Sequence, residues 1–422
     1  MTNENKKYFC CYLIVIYIFL IYGFLNGEDA IKGAKLDFYS HTKAGLAFST
    51  EFFKTFLNYD DIGMRHSPLL YIFRSFFIFN EDIFRFLFFN LMMISIYFFY
   101  KSLALKFDIK NNLLIYFSTL ITLLPTYRSY SFWPDPHLAG FLFFIVSIFF
   151  YLKFINSEKI FNKYKYASYN TIFLAISAYF SPNYGLMVIF YLFNYFRLTN
   201  NYKFLFKLLL LNFILGLPFL FYIFGLDVNF IFGDAEFNIG DNIYSLTNIS
   251  NKIVLILSLL LFYQLPLIFV GNVNLYFQTI LKFKILFFII ALVYILLCFN
   301  FDFTKSYNIT NSGGGIIYAL SNQIFSNNIF LFIFSFFSLI FQLHLSSLNK
   351  SNIILYLCLF LSHPQETLWQ ANFSPLLFVI TFTLFNFQPN QYKNLINLKI
   401  LLLYYIYFLG FYFVSNFREL FL

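Results

Sequence analysis

The chain is 422 residues long, 60% hydrophobic and only 11% charged, with 69 Phe and 34 Tyr, and its mean hydropathy is +0.71. Repeated apolar runs of about 20 residues exclude a soluble fold and mark a polytopic helical membrane protein. The net charge of +9 does not signal nucleic acid, because it is one-sided: roughly 17 of the Lys and Arg, with only Glu4, Asp108 and Glu158 among the acids, fall in alternate loops, as cytoplasmic loops require.

In chain order, spans are expected at about 8–25, 82–100, 112–126, 137–154, 169–180, 183–197, 204–225, 253–270, 284–299, 328–346, 352–361, 373–387 and 398–415. That makes an all-α, polytopic transmembrane bundle of about thirteen spans in one integral domain, 1–422. Lys6 and Lys7 precede the first run, which is long and has no prompt small-x-small cleavage pattern, so it reads as an uncleaved anchor with a cytoplasmic N-terminus. Each expected inner loop is basic, through Lys101, Lys153, Arg197, Lys284, Lys350 and Lys399 among others. The fifth and sixth spans, and the eleventh and twelfth, are shorter than a bilayer needs, which suits hairpins that stop below the outer surface around a cavity. Cys10, Cys11, Cys298 and Cys358 lie in or beside apolar runs and read as small buried hydrophobes.

Polarity collects in the first outer loop, 26–81, expected to carry amphipathic helices along the extracytoplasmic face. Asp37 and His41, four apart, share a face of such a helix. The pair suits a carboxylate general base with an imidazole that orients it or holds a phosphate oxygen; a chance pair on a solvated helix is the plainer reading. In Arg65-His66-Ser67-Pro68, Pro68 suits a helix's first turn, which puts Arg65 and His66 where backbone N–H groups attract an anion. Contact with lipid headgroups is the alternative.

The short loop 127–136 holds Arg128 and Asp135 near the outer surface, with His137 following. Arg128 suits a phosphate clamp and Asp135 a sugar hydroxyl, or the two form an ion pair within an aromatic belt that includes Trp133. In the loop 362–372, Gln365, Glu366 and Gln370 beside Trp369 resemble sugar-binding groups, against the reading of a plain turn. The chain has no Walker loop, no dinucleotide-binding glycine fingerprint and no Cys/His metal spacing. A cytoplasmic nucleotide-sugar cannot reach polar outer loops, whereas a lipid-phosphate donor arrives through the membrane.

These features together resemble the membrane-embedded glycosyltransferases of the GT-C fold that use polyprenyl-phosphate sugars. The resemblance rests on the first loop with its Asp, on Arg65-His66-Ser67-Pro68-Leu69-Leu70-Tyr71, on Asn183-Tyr184, and on Pro364-Gln365 through Gln370 with Phe373-Ser374-Pro375-Leu376-Leu377. The spacing Asp37-x-x-x-His41 also resembles the first-loop motif of dolichyl-phosphate-glucose alpha-1,2-glucosyltransferases. That group has an Arg-Gln pair where this chain has Ser181-Pro182 before Asn183. The resemblance implies an enzyme that inverts as it moves a sugar from a polyprenyl-phosphate monosaccharide to an envelope glycan or lipid-linked acceptor. Asp37 would be its base, with His41, Arg65, His66, Arg128, Asp135, Gln365 and Gln370 binding substrate. No cofactor is required, although an Asp/His pair could hold a metal. The rival expectations are a flippase of lipid-linked glycans and an O-antigen polymerase or ligase. A flippase would spread its charges along several spans, and here the spans are nearly free of charge.

Overall fold

A computed structural model describes residues 3–64, 66–107, 112–226, 228, 249–269, 281, 284–303, 313–345, 349–363, 368–387 and 395–417. Every described element is helical. The chain runs α1 (Asn3–Leu25), then α2 (Ala34–Thr50), α3 (Phe52–Leu57) and α4 (Leu69–Ser75) in the first loop, then α5 (Glu81–Phe107). Next come α6 (Leu113–Thr119), extended by a 3-10 turn over Leu120–Leu123, α7 (Pro125–Phe132), α8 (Pro136–Ile155) and α9 (Ile160–Phe180). A 3-10 turn, Pro182–Tyr184, leads into α10 (Met187–Thr199) and α11 (Tyr202–Leu220). The later helices are α12 (Ile249–Ile268), α13 (Lys284–Phe299), α14 (Gly315–Phe325), α15 (Ile329–Leu345), α16 (Lys350–Leu361), α17 (Gln370–Phe373), α18 (Leu376–Thr383) and α19 (Leu398–Asn416).

Among the described residues, six helices are long and apolar enough to cross a membrane: Lys7–Leu25, Glu81–Phe107, Pro136–Ile155, Tyr202–Gly225, Ile249–Ile268 and Leu398–Asn416. The other expected spans are shorter or more polar helices. Only two of the six are mostly wrapped by protein, Pro136–Ile155 and Ile249–Ile268. These two are the centre of the bundle, and α1, α11 and α19 present apolar faces outward, as lipid-facing helices do. Cys10 and Cys11 lie exposed on α1 rather than buried, and all four cysteines are unpaired.

Two departures from expectation matter for the site. The segment 127–136 is not a loop: α7 occupies most of it, with all eight residues buried. Proline at its first position sets the helical φ, and Trp133 ends it in extended geometry. α9 begins near 160 rather than 169, carrying Lys163 and Lys165 in its first turns. The first loop does form an amphipathic helix. In α2 the buried residues are Ala34, Phe38, His41, Ala44, Gly45 and Phe48, one stripe at helical spacing, while Leu36 and Leu46 are exposed on the outside.

Candidate active site

At one end of the bundle the C-terminal ends of α1, α9 and α16 approach the N-terminal ends of α5, α8 and α10, and α2 and α4 lie over them. The placement of α2 starts from the link that precedes it. Glu28 forms a bidentate ion pair with Arg128 of α7, in which Arg128 Nε donates to Oε1 at 2.6 Å and Nη2 to Oε2. Trp133 Nε1 donates to Glu28 O at 3.1 Å and the Ile31 amide donates to Ser129 Oγ at 3.2 Å. Asp29 then accepts from the amides of Ala34 at 3.3 Å and Lys35 at 3.1 Å, so its carboxylate satisfies the first amides of α2.

Asp37, in the first turn of α2, is partly buried, and no hydrogen bond reaches its carboxyl group among the described residues. Burial, then the charges of Asp135 and Asp29, push this carboxyl up to about 7. Asp135 is buried at the cap of α8, between Pro134 and Pro136, and accepts from the His137 amide at 2.7 Å. Burial raises its proton affinity, while the neighbouring His66 and the amides of His137 and Leu138 act the other way.

Three imidazoles stand in a row behind the carboxyls. The His41 and His66 ring centres are 5.5 Å apart and those of His66 and His137 are 5.0 Å apart, each pair nearly perpendicular. His137 Nδ1 is 2.8 Å from Ser181 Oγ, at the tip between α9 and α10. That approach needs Gly140, where a Cβ would sit 2.9 Å from Tyr184 Cε2 and 3.0 Å from Ser181 Cβ. Beyond the tip, Asn183 Nδ2 lies 3.1 Å from His363 Nδ1, and Asn372 Nδ2 lies 3.1 Å from His363 Nε2. The two hairpin tips therefore meet at His363.

The cluster keeps unused hydrogen-bonding capacity. His41 Nδ1 and Tyr71 Oη are both buried without a partner, with the two rings centred 5.2 Å apart. Burial, then the electrostatic influence of His66, Arg74 and His137, holds His41 well below the ordinary histidine range, so it is neutral at physiological pH. Tyr71 feels the charges of both Asp135 and Asp37. Two carboxyls, Asp37 and Asp135, with orphaned imidazole and phenol groups beside them suit a ligand rich in hydroxyls. Among the described residues no three His, Cys, Asp or Glu groups converge to hold a metal ion.

Asp37, His41, His66 and Asp135 of the sequence-derived set therefore come together. The expected Asp37–His41 hydrogen bond does not form, because His41 turns inward on His66 and Tyr71. Arg128 is committed to Glu28, not to Asp135, and is sandwiched against the Phe19 and Tyr412 rings at 4.4 and 4.8 Å. Gln370 is likewise spent within the fold: Oε1 accepts from the Ile316 amide at 2.9 Å and Nε2 donates to Tyr263 Oη at 3.1 Å. Arg65 and Gln365 lie outside the described residues. Tyr71, Ser181 and His363 join the site without having been selected. Tyr71 is one of 34 tyrosines and carries no local signal, whereas His137 and His363, each next to a proline in a polar interval, did carry one.

No family model, curated protein or solved structure matches the chain. Fold and site together define a class: an all-helical protein, over the described residues, whose long apolar helices fit a membrane, with a cluster of acids and imidazoles at one end of the bundle.

Proposed function

We propose that the chain is a membrane glycosyltransferase that moves a sugar from a polyprenyl-phosphate monosaccharide to a hydroxyl of an envelope glycan or lipid-linked acceptor, on the extracytoplasmic face of the membrane and with inversion. The observation that carries this reading is a carboxyl without a hydrogen-bond partner among the described residues, Asp37, raised to about 7 beside the orphaned polar groups of His41 and Tyr71. A base works best when its pKa lies near the working pH. In the reaction the Asp37 carboxylate takes the proton of the acceptor hydroxyl, and that oxygen attacks the anomeric carbon. The bond from that carbon to the phosphate oxygen breaks, and the lipid phosphate leaves with the electron pair. The neighbouring Asp135 raises the basicity of Asp37, and His41 and Tyr71 offer an acceptor and a donor to sugar hydroxyls.

The experiment is transfer of radiolabelled sugar from a panel of synthetic polyprenyl-phosphate monosaccharides in vesicles holding purified wild type or Asp37→Asn, with envelope glycolipid as acceptor. Wild type is expected to transfer one sugar, and Asp37→Asn to lose about two to four orders of magnitude in rate. Equal transfer by both proteins would keep the class and remove Asp37 from the chemistry.

A second reading, translocation of lipid-linked glycans, is favoured by one feature. The polar groups form a continuous line from Asp37 and Asp135 through His66, His137 and Ser181 to the hairpin tips. Passage of lipid-linked glycan across the same vesicles with no transfer would select it.

A further inference from the structure

Arg74 and Arg85, like Arg128, are buried with N–H groups left over, but neither has the close bidentate carboxylate that Arg128 finds in Glu28. Arg74, on α4, donates from Nη2 to Thr42 Oγ1 at 2.6 Å, while its Nε and Nη1 are buried without a partner. Its guanidinium lies 3.8 Å from the centre of the Phe38 ring and its stem packs at 3.1 Å from where a Gly45 Cβ would stand. Arg85, at the start of α5, donates from Nε to Phe132 O at 2.9 Å and stacks 3.7 Å over Trp133, and its Nη2 is buried without a partner. Lys35, exposed, holds its ammonium 5.3 Å from the same Trp133 ring.

Two like charges held close in a partly dry place repel and resist desolvation. Burial, with Arg85 adding to it against the opposing pull of Glu81 and Tyr39, brings Arg74 down to about 10. The acids at hand do not answer the free N–H groups. Glu81 Oε2 is 4.0 Å from Arg74 Nη2, beyond hydrogen-bond length. Asp82 reaches Arg85 Nη1 at 3.3 Å but is 92% exposed, where an ion pair contributes little. An anion with three or four oxygens can accept from a free N–H of each guanidinium, which a single Glu or Asp here does not do. The apolar surroundings, Phe38, Trp133 and the exposed Tyr39, favour an anion carried on a hydrocarbon chain over one free in water.

We propose that Arg74, Arg85 and Lys35 form a seat for the phosphate of a lipid, built against Trp133 on the flank of α2 next to the Asp37 pocket. The helix itself sets this division. Lys35, Phe38, Thr42 and Gly45 follow one helical stripe and meet Trp133 or Arg74. Asp37, His41, Ala44 and Phe48 follow the next, with His41 on His66 and Tyr71. A lipid phosphate on the first stripe thus places whatever it carries beside the base on the second. As the place of the donor's leaving group the seat rests on the transferase reading; as an anion site it does not.

The test uses the full chain with Trp369→Phe, which leaves Trp133 as the sole fluorophore of its kind, since the chain has two Trp. Farnesyl phosphate should change Trp133 emission saturably and farnesol should not. Arg85→Gln should bind about ten-fold more weakly, and Lys35→Ala, an exposed site that leaves the fold intact, roughly three-fold more weakly. Unchanged affinity in Lys35→Ala and in folded Arg85→Gln, or in Arg85→Lys should Arg85→Gln not fold, would overturn the seat, as would equal binding of farnesol. Inorganic phosphate that reproduces the change at the same concentration would overturn the lipid as its source. Arginine-dependent binding without sugar transfer keeps the seat and ends the transferase reading; undiminished transfer by Lys35→Ala and Arg85→Gln does the reverse.

Discussion

At the scale of single residues, Arg128 and Asp37 show how a charge in an apolar protein is assigned its work. Arg128 is 1% exposed, and its partner Glu28 lies 100 residues away. Asp135, close in sequence, was the natural candidate, but spacing along a chain says nothing about which distant link returns to a helix. Glu28→Ala leaves a buried unpaired guanidinium and should destabilise the protein by about 3–5 kcal/mol, and the double change with Arg128→Met should recover part of that loss. Thermal unfolding in detergent would measure both. For Asp37, whose folded value of about 7 lies above 3.8, the folded protein retains a proton that the unfolded chain has released. The sign follows: this group's contribution to stability is greatest below about pH 4 and declines as pH rises to about 7. Asp37→Asn should remove that decline, seen as a flatter dependence of unfolding temperature on pH. If Asp37 is the base, the rate should rise with pH through about 7 in wild type, and Asp135→Asn, which deletes a negative neighbour, should move the inflection to lower pH. The acids and histidines of this site were legible because polar side chains are expensive in so apolar a sequence. Tyr71 and Ser181 were not, because tyrosine and serine are common in it and become distinctive only when folding leaves one hydroxyl orphaned and sets the other on an imidazole.

At the scale of elements, short polar stretches bounded by proline are where sequence and structure part. The interval after Leu124 looks like a loop by its polarity, yet packing buries all of it as α7 and turns its polar side chains into ties for the first loop. α2, by contrast, was readable as an amphipathic helix because its buried stripe repeats at helical spacing. The turn before α14 gives a similar lesson. Gln370 seemed suited to a sugar, but its amide oxygen receives the Ile316 amide, and the Gly314 amide donates to Leu368 O at 2.6 Å. Gly314 and Gly315 stand at φ +88 and +83, and a Cβ on Gly315 would lie 2.7 Å from Leu259 Cδ2. Gln370→Ala should therefore speed hydrogen exchange at the Ile316 amide by about ten-fold while leaving farnesyl phosphate binding unchanged. Mass-spectrometric exchange on the reconstituted protein would read it.

For the molecule as a whole, the apolar runs reported an all-helical chain, each expected span has a helical counterpart among the described residues, and six of these helices are long and apolar enough to cross a membrane. Six described helices have the length and hydropathy of a crossing rather than about thirteen, because helices of 8 to 17 residues such as α18 and α15 are too short for that measure, and α18 is buried entirely by its neighbours. The charge asymmetry supplies an orientation that can be tested. In a chain whose four cysteines are replaced, Tyr39→Cys should react with a membrane-impermeant thiol reagent in intact cells, and Lys163→Cys only after permeabilisation. The opposite pattern would place the pocket in the cytoplasm and remove the case for a lipid-borne donor.

The link 28–31 has a consequence in time as well as in space. Ser415 Oγ, on α19, donates to Ala30 O at 2.8 Å across 385 residues, and Tyr412 stacks on the guanidinium that holds Glu28. The strap that positions Asp37 is thus fastened by a helix synthesised near the other extreme of the sequence. A nascent chain inserting helix by helix would carry its acids in the membrane with the strap still loose, and the pocket would become competent only once α19 had docked.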